Sequence, residues 1–105
     1  MTSKEHNRAL KVLIMNTYGN GYCKCCGETE MAFLSLDHIK GGGAVSRRIM
    51  LGLPDDYRSP PAGNPYYRAL QKAGFPNKED MQVLCLNCNR AKHDLGICPH
   101  LAKGN

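Results

Sequence analysis

The sequence predicts a small α+β domain with little sheet. Three observations lead to this prediction. The chain has 105 residues, which is the size of a single domain. Helix-like and strand-like hydrophobic patterns both occur along it, and two Cys-x-x-Cys pairs lie far apart in the sequence. Because a domain of this size buries only a modest core, a metal ion or a disulfide commonly adds to its stability. We therefore expect one cross-linked domain over residues 1–105.

The N-terminal part of the chain predicts a helix followed by a strand. An amphipathic helix is expected over Ser3 to Tyr18, within the segment 1–18. Ser3 is its expected N-cap and Gly19 its expected stop. The first strand is expected within "AFLSLDHI", and the glycines of "KGGG" end it.

The rest of the chain predicts an insertion, a second strand and a last helix. In the insertion, a short helix over Ala44 to Leu51 precedes a Pro- and Gly-rich loop. A second helix then begins with Asn64 as N-cap and Pro65 at its first position, and ends at Gly74. "MQVLC" predicts the second strand, and "NCNRAKHDLG" predicts a turn that runs into a helix ending near residue 96.

Four of the six cysteines form two pairs with metal-ligand spacing, Cys23 with Cys26 and Cys85 with Cys88. A knuckle turn brings residues i and i+3 together, and Gly27 suits such a tight turn. No secretory leader is evident, so metal binding is favoured over disulfides or free thiols. The pattern predicts one structural Zn²⁺ held by four thiolates.

Two cysteines are left over. Cys25 could replace Cys23 or Cys26 as a ligand, although its spacing is less suitable. Cys98 and His100, in "GICPH", could form half of another metal site, but the sequence shows no second half. We therefore expect Cys98 to make a surface contact in a C-terminal tail, residues 97–105.

The charge of the chain favours a polyanionic partner. The sequence has 14 Lys and Arg against 9 Asp and Glu, a net charge of +5. Such a bias is typical of nucleic-acid binding, while the alternative is that it only aids solubility. No apolar run is long enough to span a bilayer, so no membrane partner is expected. We expect a cytoplasmic protein, in the cytoplasm of the host cell if the chain is viral.

Four polar side chains are candidates for chemistry. Asp37 and His38 follow a strand and precede a glycine loop, so they offer a carboxylate for a cation and an imidazole for proton transfer. Asn89 and His93 are four residues apart and would share one face of a helix. Because the second cysteine pair begins that helix, zinc would bring the two groups together.

The segments "CKCCG", "LSLDHIKGGG" and "MQVLCLNCNRAKH" resemble the HNH endonuclease family, the ββα-metal or His-Me finger nucleases. They are most similar to small phage-type members, and the four-cysteine zinc is similar to that of recombination endonuclease VII. The resemblance covers about residues 19–96, interrupted by an insertion at about 44–76. It implies a zinc-stapled ββα-metal core and metal-dependent hydrolysis of phosphodiester bonds in DNA.

The same resemblance implies a role for each matching residue. His38 corresponds to the general base, and Asp37 and Asn89 correspond to ligands of a catalytic divalent cation. His93 lies where some members carry a further imidazole ligand. Asp80 stands at the position of the family's middle Asn, which orients the base, and could take over that role. Oxygen ligands favour Mg²⁺ or Mn²⁺, while an imidazole ligand would also suit Ni²⁺, Co²⁺ or Zn²⁺.

Basic side chains near these motifs are candidate phosphate contacts. They are Arg47, Arg48, Arg90 and Lys92, and the alternative for the first two is that they are only solvated. No dedicated reader domain is apparent, which suggests a targeting or packaging protein as a further partner. Monomer and dimer both remain open. The rival hypothesis is a zinc-ribbon module that binds nucleic acid without catalysis, and Asp80 in place of the usual Asn supports it.

Overall fold

The structure is a computed structural model that describes residues 2–102. The predicted α+β class is confirmed: the described residues form five α-helices and one two-stranded antiparallel sheet. The elements are α1 (Ser3–Tyr18), β1 (Leu34–His38), α2 (Gly43–Met50), α3 (Asn64–Lys72), β2 (Met81–Cys85), α4 (Leu86–Leu95) and α5 (Pro99–Ala102). One 3₁₀ turn precedes each strand. Within residues 2–102, no helix is both long and apolar enough to cross a membrane.

Helix α1 has the predicted bounds but a different cap. Its N-cap is Thr2, not Ser3, because the Thr2 hydroxyl accepts a hydrogen bond from the Glu5 backbone N–H at 3.1 Å. The C-cap of the helix is Gly19, which packs directly on β2. A Cβ atom at Gly19 would lie 2.6 Å from a methyl carbon of Val83. The glycine therefore allows the close approach of α1 to the sheet.

The sheet places the two candidate sites at its opposite ends. In the antiparallel register, Leu34 lies opposite Cys85 and His38 lies opposite Met81. Helix α4 follows Cys85 without a connecting loop. It packs against both strands, so that side chains along α4 reach from the cysteine end toward the His38 end.

The predicted insertion contributes to the core. Helix α1 packs against α3 and against both strands. The largest fully buried aliphatic side chains come from these elements: Ile14, Met15, Leu34, Leu70 and Val83. Because α3 supplies Leu70, the segment between the strands is part of the one hydrophobic core.

The predicted caps of α3 were wrong by one residue. Its N-cap is Gly63 rather than Asn64, and its C-cap is Ala73 rather than Gly74. Gly63 and Gly74 both have left-handed φ angles, +73° and +80°, so each glycine makes the sharp change of direction just outside the helix. The segment expected to be only a tail also contains a short helix, α5.

Candidate functional site

The four predicted zinc ligands lie together at one end of the sheet. The sulfur atoms of Cys23, Cys26, Cys85 and Cys88 all lie within 4.8 Å of one another. The sulfurs of Cys26 and Cys85 are 3.7 Å apart. Since four thiolates at about 2.3 Å from a tetrahedral ion are separated by about 3.8 Å, this donor set fits such an ion. The cluster is therefore compatible with zinc or another thiophilic metal.

Both cysteine pairs have the knuckle geometry that presents sulfur to a metal. The Cys26 N–H points to the Cys23 sulfur at 3.5 Å, and the Cys88 N–H points to the Cys85 sulfur at 3.4 Å. Gly27 closes the first knuckle with a left-handed φ of +83° and an N–H bond of 2.8 Å to the Cys23 carbonyl. In each pair, the first cysteine therefore accepts from the backbone N–H of the second.

The two leftover cysteines also belong to this end of the molecule. Cys25, Cys98 and His100 form a second group of potential ligands with Cys88. The predicted surface contact of Cys98 was wrong, because its side chain is buried and its sulfur lies 3.3 Å from that of Cys25. Cys25 and Cys88 are thus the second half of the Cys98 and His100 group, which the sequence did not reveal.

The surroundings of the thiols raise the pKa of Cys88 and lower that of Cys23. Burial, followed by the surrounding thiols, raises the pKa of Cys88. At Cys23 burial acts in the same direction, but backbone N–H donors outweigh it and lower the pKa to about 7. Closely spaced thiolates repel one another, and a bound cation offsets this repulsion. The cluster is therefore suited to binding metal with release of protons.

A cleft at the other end of the sheet collects the residues proposed for catalysis. It has a volume of about 770 Å³, and Asp37, His38, Asn89, Lys92 and His93 all line it. The first two come from β1 and the other three from α4. Two weak sequence patterns, separated by an insertion, therefore meet in one cavity.

Asp37 is a buried carboxylate that forms an ion pair with the ammonium group of Lys92. Its Oδ2 atom accepts from the Gln82 amide at 2.8 Å and lies 2.9 Å from the Lys92 ammonium nitrogen. Lys92 also donates to the Asp37 Oδ1 atom at 3.2 Å and to the His38 carbonyl at 3.1 Å. Three oxygen atoms at this point therefore surround a positive charge.

The side chain of Asn89 ties α4 to β1. Its Nδ2 atom donates to the Ser35 hydroxyl at 2.9 Å and is 3.4 Å from the Leu36 carbonyl. Both contacts use the amide nitrogen, so neither of them occupies the amide oxygen. His93 is exposed on the same cleft.

His38 is held by a tyrosine rather than by the predicted aspartate. The hydroxyl of Tyr66 lies 3.2 Å from His38 Nε2 and 3.0 Å from the Ser46 hydroxyl. The Asp80 side chain is exposed and makes no hydrogen bond to His38 in the part of the chain that is described. Instead, the Asp80 backbone carbonyl accepts from the Ile39 N–H at 3.0 Å. Asp80 therefore supports the loop after β1, while its predicted contact with the imidazole is absent.

The surroundings of His38 favour its neutral form. Burial is the largest influence and lowers the pKa of His38, and the nearby Arg47 guanidinium lowers it further. Asp37 and Asp80 act in the opposite direction with less effect. Neutral imidazole is the form that can accept a proton, so at neutral pH His38 is in the state that a general base needs.

The four candidate phosphate contacts all have partners within the chain. Arg47 and Arg48 donate to the backbone carbonyls of Pro60 and Tyr57, at 3.2 and 3.1 Å. Arg90 forms an exposed ion pair with Asp94. Of the four, Arg47 and Lys92 line the cleft.

Comparison with known proteins identifies no relative. No protein-family model, no curated protein and no solved structure matches the chain.

The Asp37–Lys92 ion pair leads to a prediction about stability. Lys92→Met should destabilise the fold by about 1–3 kcal/mol, because it leaves the buried Asp37 carboxylate without its charged partner. The matched control is Arg90→Met, which breaks an ion pair whose side chains are 77% and 47% exposed and should change stability by about 0.5 kcal/mol or less. Urea denaturation of both variants measures the difference. If both variants lost the same free energy of unfolding, the burial of Asp37 would not be what makes its ion pair with Lys92 important for stability.

Proposed function

We propose that this chain is a metal-dependent DNA endonuclease of the HNH, or ββα-metal, type. The observation that carries the proposal is the convergence of Asp37, His38 and Asn89 on one cleft between β1 and α4. The order of the elements supports it as well, since an antiparallel pair of strands is followed directly by a helix that packs across both. Structural zinc on the two cysteine pairs is part of the same proposal.

His38 is the proposed general base, and Tyr66 is its proposed positioning residue. If His38 Nε2 carries the proton and donates to the tyrosine oxygen, Nδ1 is left with the free lone pair. Nδ1 lies next to the start of α2, where a Cβ on Gly43 would be 3.0 Å from it. Gly43 thus leaves space beside the nitrogen that would take a proton from water.

Asp37 is the proposed anchor of a divalent cation. Its carboxylate and the His38 carbonyl accept from the Lys92 ammonium, so a metal ion bound here would replace Lys92 as the positive charge. Asp37 and the Asn89 amide oxygen are the proposed ligands, and His93 is a further one. This mostly oxygen donor set favours Mg²⁺ or Mn²⁺, and His93 would extend it to Ni²⁺, Co²⁺ or Zn²⁺. Such a cation supplies Lewis-acid stabilisation of the charge that develops on the phosphate.

DNA is the proposed substrate because the cleft and the chain are basic. The chain carries a net charge of +5, and phosphate neutralisation dominates non-specific DNA binding. Arg47 and Lys92 line the cleft, while Arg48 and Arg90 are proposed as outer contacts. Phosphate contacts of this kind position the backbone without reading its sequence, so a separate targeting protein is a proposed partner.

One observation favours the alternative of a non-catalytic zinc-ribbon module. Lys92 neutralises the carboxylate that a catalytic cation would need, with a nitrogen-to-oxygen distance of 2.9 Å. A chain that retains this ion pair could bind nucleic acid through its basic surface and never cleave it. The two hypotheses therefore differ in one measurable property, which is phosphodiester hydrolysis.

Cleavage of supercoiled plasmid tests the proposal. With Mg²⁺ or Mn²⁺ the protein should nick or linearise the plasmid, and without an added cation it should not. His38→Ala should lower the rate by about 10²–10⁴-fold, the usual contribution of a general base. His6→Ala serves as the matched control, since His6 is an exposed histidine on α1, and should cut at the wild-type rate. A wild-type protein that binds the plasmid but does not cut it with Mg²⁺, Mn²⁺, Ni²⁺, Co²⁺ or Zn²⁺ would establish the binding module instead.

The contact of Tyr66 with His38 predicts that the hydroxyl groups of two adjacent buried tyrosines differ in their effect on the nicking rate. Tyr66→Phe keeps the ring but removes the hydroxyl next to His38, so the nicking rate should fall by about tenfold, which corresponds to one hydrogen bond of about 1.4 kcal/mol. Tyr67→Phe makes the same chemical change in the next buried residue of α3 and should leave the rate near wild type. DNA affinity and the unfolding midpoint are measured in parallel. The same rate in both variants would show that Tyr66 does not position the base.

A further inference from the structure

Three sulfurs and one imidazole nitrogen surround a point beside the four-cysteine cluster. His100 Nδ1 lies 3.2 Å from the sulfur of Cys98 and 3.5 Å from those of Cys25 and Cys88. The four donor atoms all lie within 4.8 Å of one another. Zinc bonds of about 2.3 Å to sulfur and 2.0–2.1 Å to nitrogen give tetrahedral S–N separations of about 3.6 Å. The observed sulfur–nitrogen distances are close to this value.

Cys88 belongs to both groups of four ligands. It lies within the required distance of Cys23, Cys26 and Cys85, and also within that of Cys25, Cys98 and His100. Two tetrahedral ions with no common ligand require eight donors, and two ions that share one thiolate require seven. The chain presents seven here, namely all six of its cysteines and one histidine. Cys88 is 1% exposed, so it lies deep between the other six.

The C-terminal segment leaves much of its apolar surface exposed. Helix α5 has four residues, far fewer than an isolated helix needs to be stable. Leu101 within this helix and Ile97 just before it are 54% and 47% exposed, whereas Cys98 is 4% exposed. The side chain that this segment buries is therefore a thiol. A metal ion on Cys98 and His100 would attach the segment to the first knuckle through Cys25.

We propose that the cysteine cluster is a binuclear zinc centre in which the Cys88 thiolate bridges two ions. Cys23, Cys26 and Cys85 complete the first site, and Cys25, Cys98 and His100 complete the second. Binding two Zn²⁺ releases the protons of six thiols to solvent, while His100 binds as neutral imidazole. The resulting cluster carries four positive and six negative charges, a net charge of −2. This proposal does not depend on the nuclease activity and stands or falls separately.

Zinc stoichiometry tests the number of ions. The full chain is kept reduced, saturated with Zn²⁺, freed of excess metal and analysed by mass spectrometry of the metal against amino-acid analysis. Two zinc ions per chain are expected for the wild type, and one is expected for His100→Ala and for Cys98→Ser. The matched control His6→Ala should keep two. One ion per chain in the saturated wild type would overturn the proposal, as would two in His100→Ala.

Cobalt substitution tests the bridge itself. Two Co²⁺ ions joined by one thiolate couple magnetically, so the paramagnetic resonance signal per cobalt should be weaker in the wild type than in His100→Ala, which would hold a single ion. Equal signal per cobalt in the two proteins would exclude a shared Cys88. If His100→Ala does not fold, the wild type titrated with one and then two equivalents of Co²⁺ gives the same comparison.

A disulfide is the competing explanation for the 3.3 Å separation of the Cys25 and Cys98 sulfurs. Intact mass measured under denaturing conditions, without added reductant after purification, distinguishes the two. The proposal predicts six free thiols and the full reduced mass. A mass lower by two hydrogens, with the cross-link mapped to Cys25 and Cys98, would overturn it.

Discussion

The meeting of two cysteine pairs from distant parts of the chain is the constraint on which the rest of the structure depends. Cys85 ends β2 and is also the N-cap of α4, so the position of the second pair sets where the helix starts and where it points. The first pair is tied to the same strand, because the Lys24 N–H donates to the Val83 carbonyl at 2.9 Å. A zinc ion at this point would hold the turn of Cys23 and Cys26, the end of β2 and the start of α4 together.

The candidate catalytic cleft is a consequence of that arrangement. Asn89 lies one residue beyond the second pair and bonds to β1, and Lys92 lies further along α4 and reaches the far end of the same strand. The cleft thus combines side chains from elements that the cysteines bring into register. Movement of α4 by one residue would separate Asn89 and Lys92 from their partners on β1. In the proposed nuclease, a metal ion at the cysteines would therefore affect catalysis by fixing the position of α4 against β1.

The segment between the strands has two roles. Helix α3 packs against α1 and contributes Leu70 to the core, while the hydroxyl of Tyr66 reaches His38. The same helix thus stabilises the fold and orients the proposed base. This offers a physical reason why Asp80 need not contact the imidazole, since the position of His38 is already set from the other side.

Local patterns in the sequence predicted the elements well and the contacts between them less well. The bounds of α1 follow from its apolar spacing, both strands follow from short apolar runs, and the cluster of four cysteines follows from two pairs with i, i+3 spacing. Only half of the second group, Cys98 with His100, has local spacing. Cys25 is 73 residues from Cys98 in the sequence, so its place beside them follows from the fold and not from a local pattern.

The same limit applies to the cleft. Tyr66 and His38 are separated by 28 residues, and a tyrosine at the start of a capped helix has no pattern that marks a contact with a distant imidazole. The Asp37–Lys92 ion pair depends likewise on how α4 crosses β1. By contrast, Asn89 and His93 are expected from the sequence to lie near Asp37 and His38, because their positions follow from the cysteine pair that begins the helix, and all four line one cleft.

The most direct test of this account is the behaviour of the whole chain when its metal is removed and returned. In ¹H–¹⁵N correlation spectra, a chelator should abolish the dispersed amide signals of α1, β1, β2 and α4 together, and added Zn²⁺ should restore them, because a core this small depends on the cross-link. The contrary result would be dispersed signals from α1, α3 and the sheet that persist in the chelator, with changes confined to residues 23–27 and 85–88. In that case the cysteine cluster would be a local feature, and the hydrophobic core alone would hold the fold.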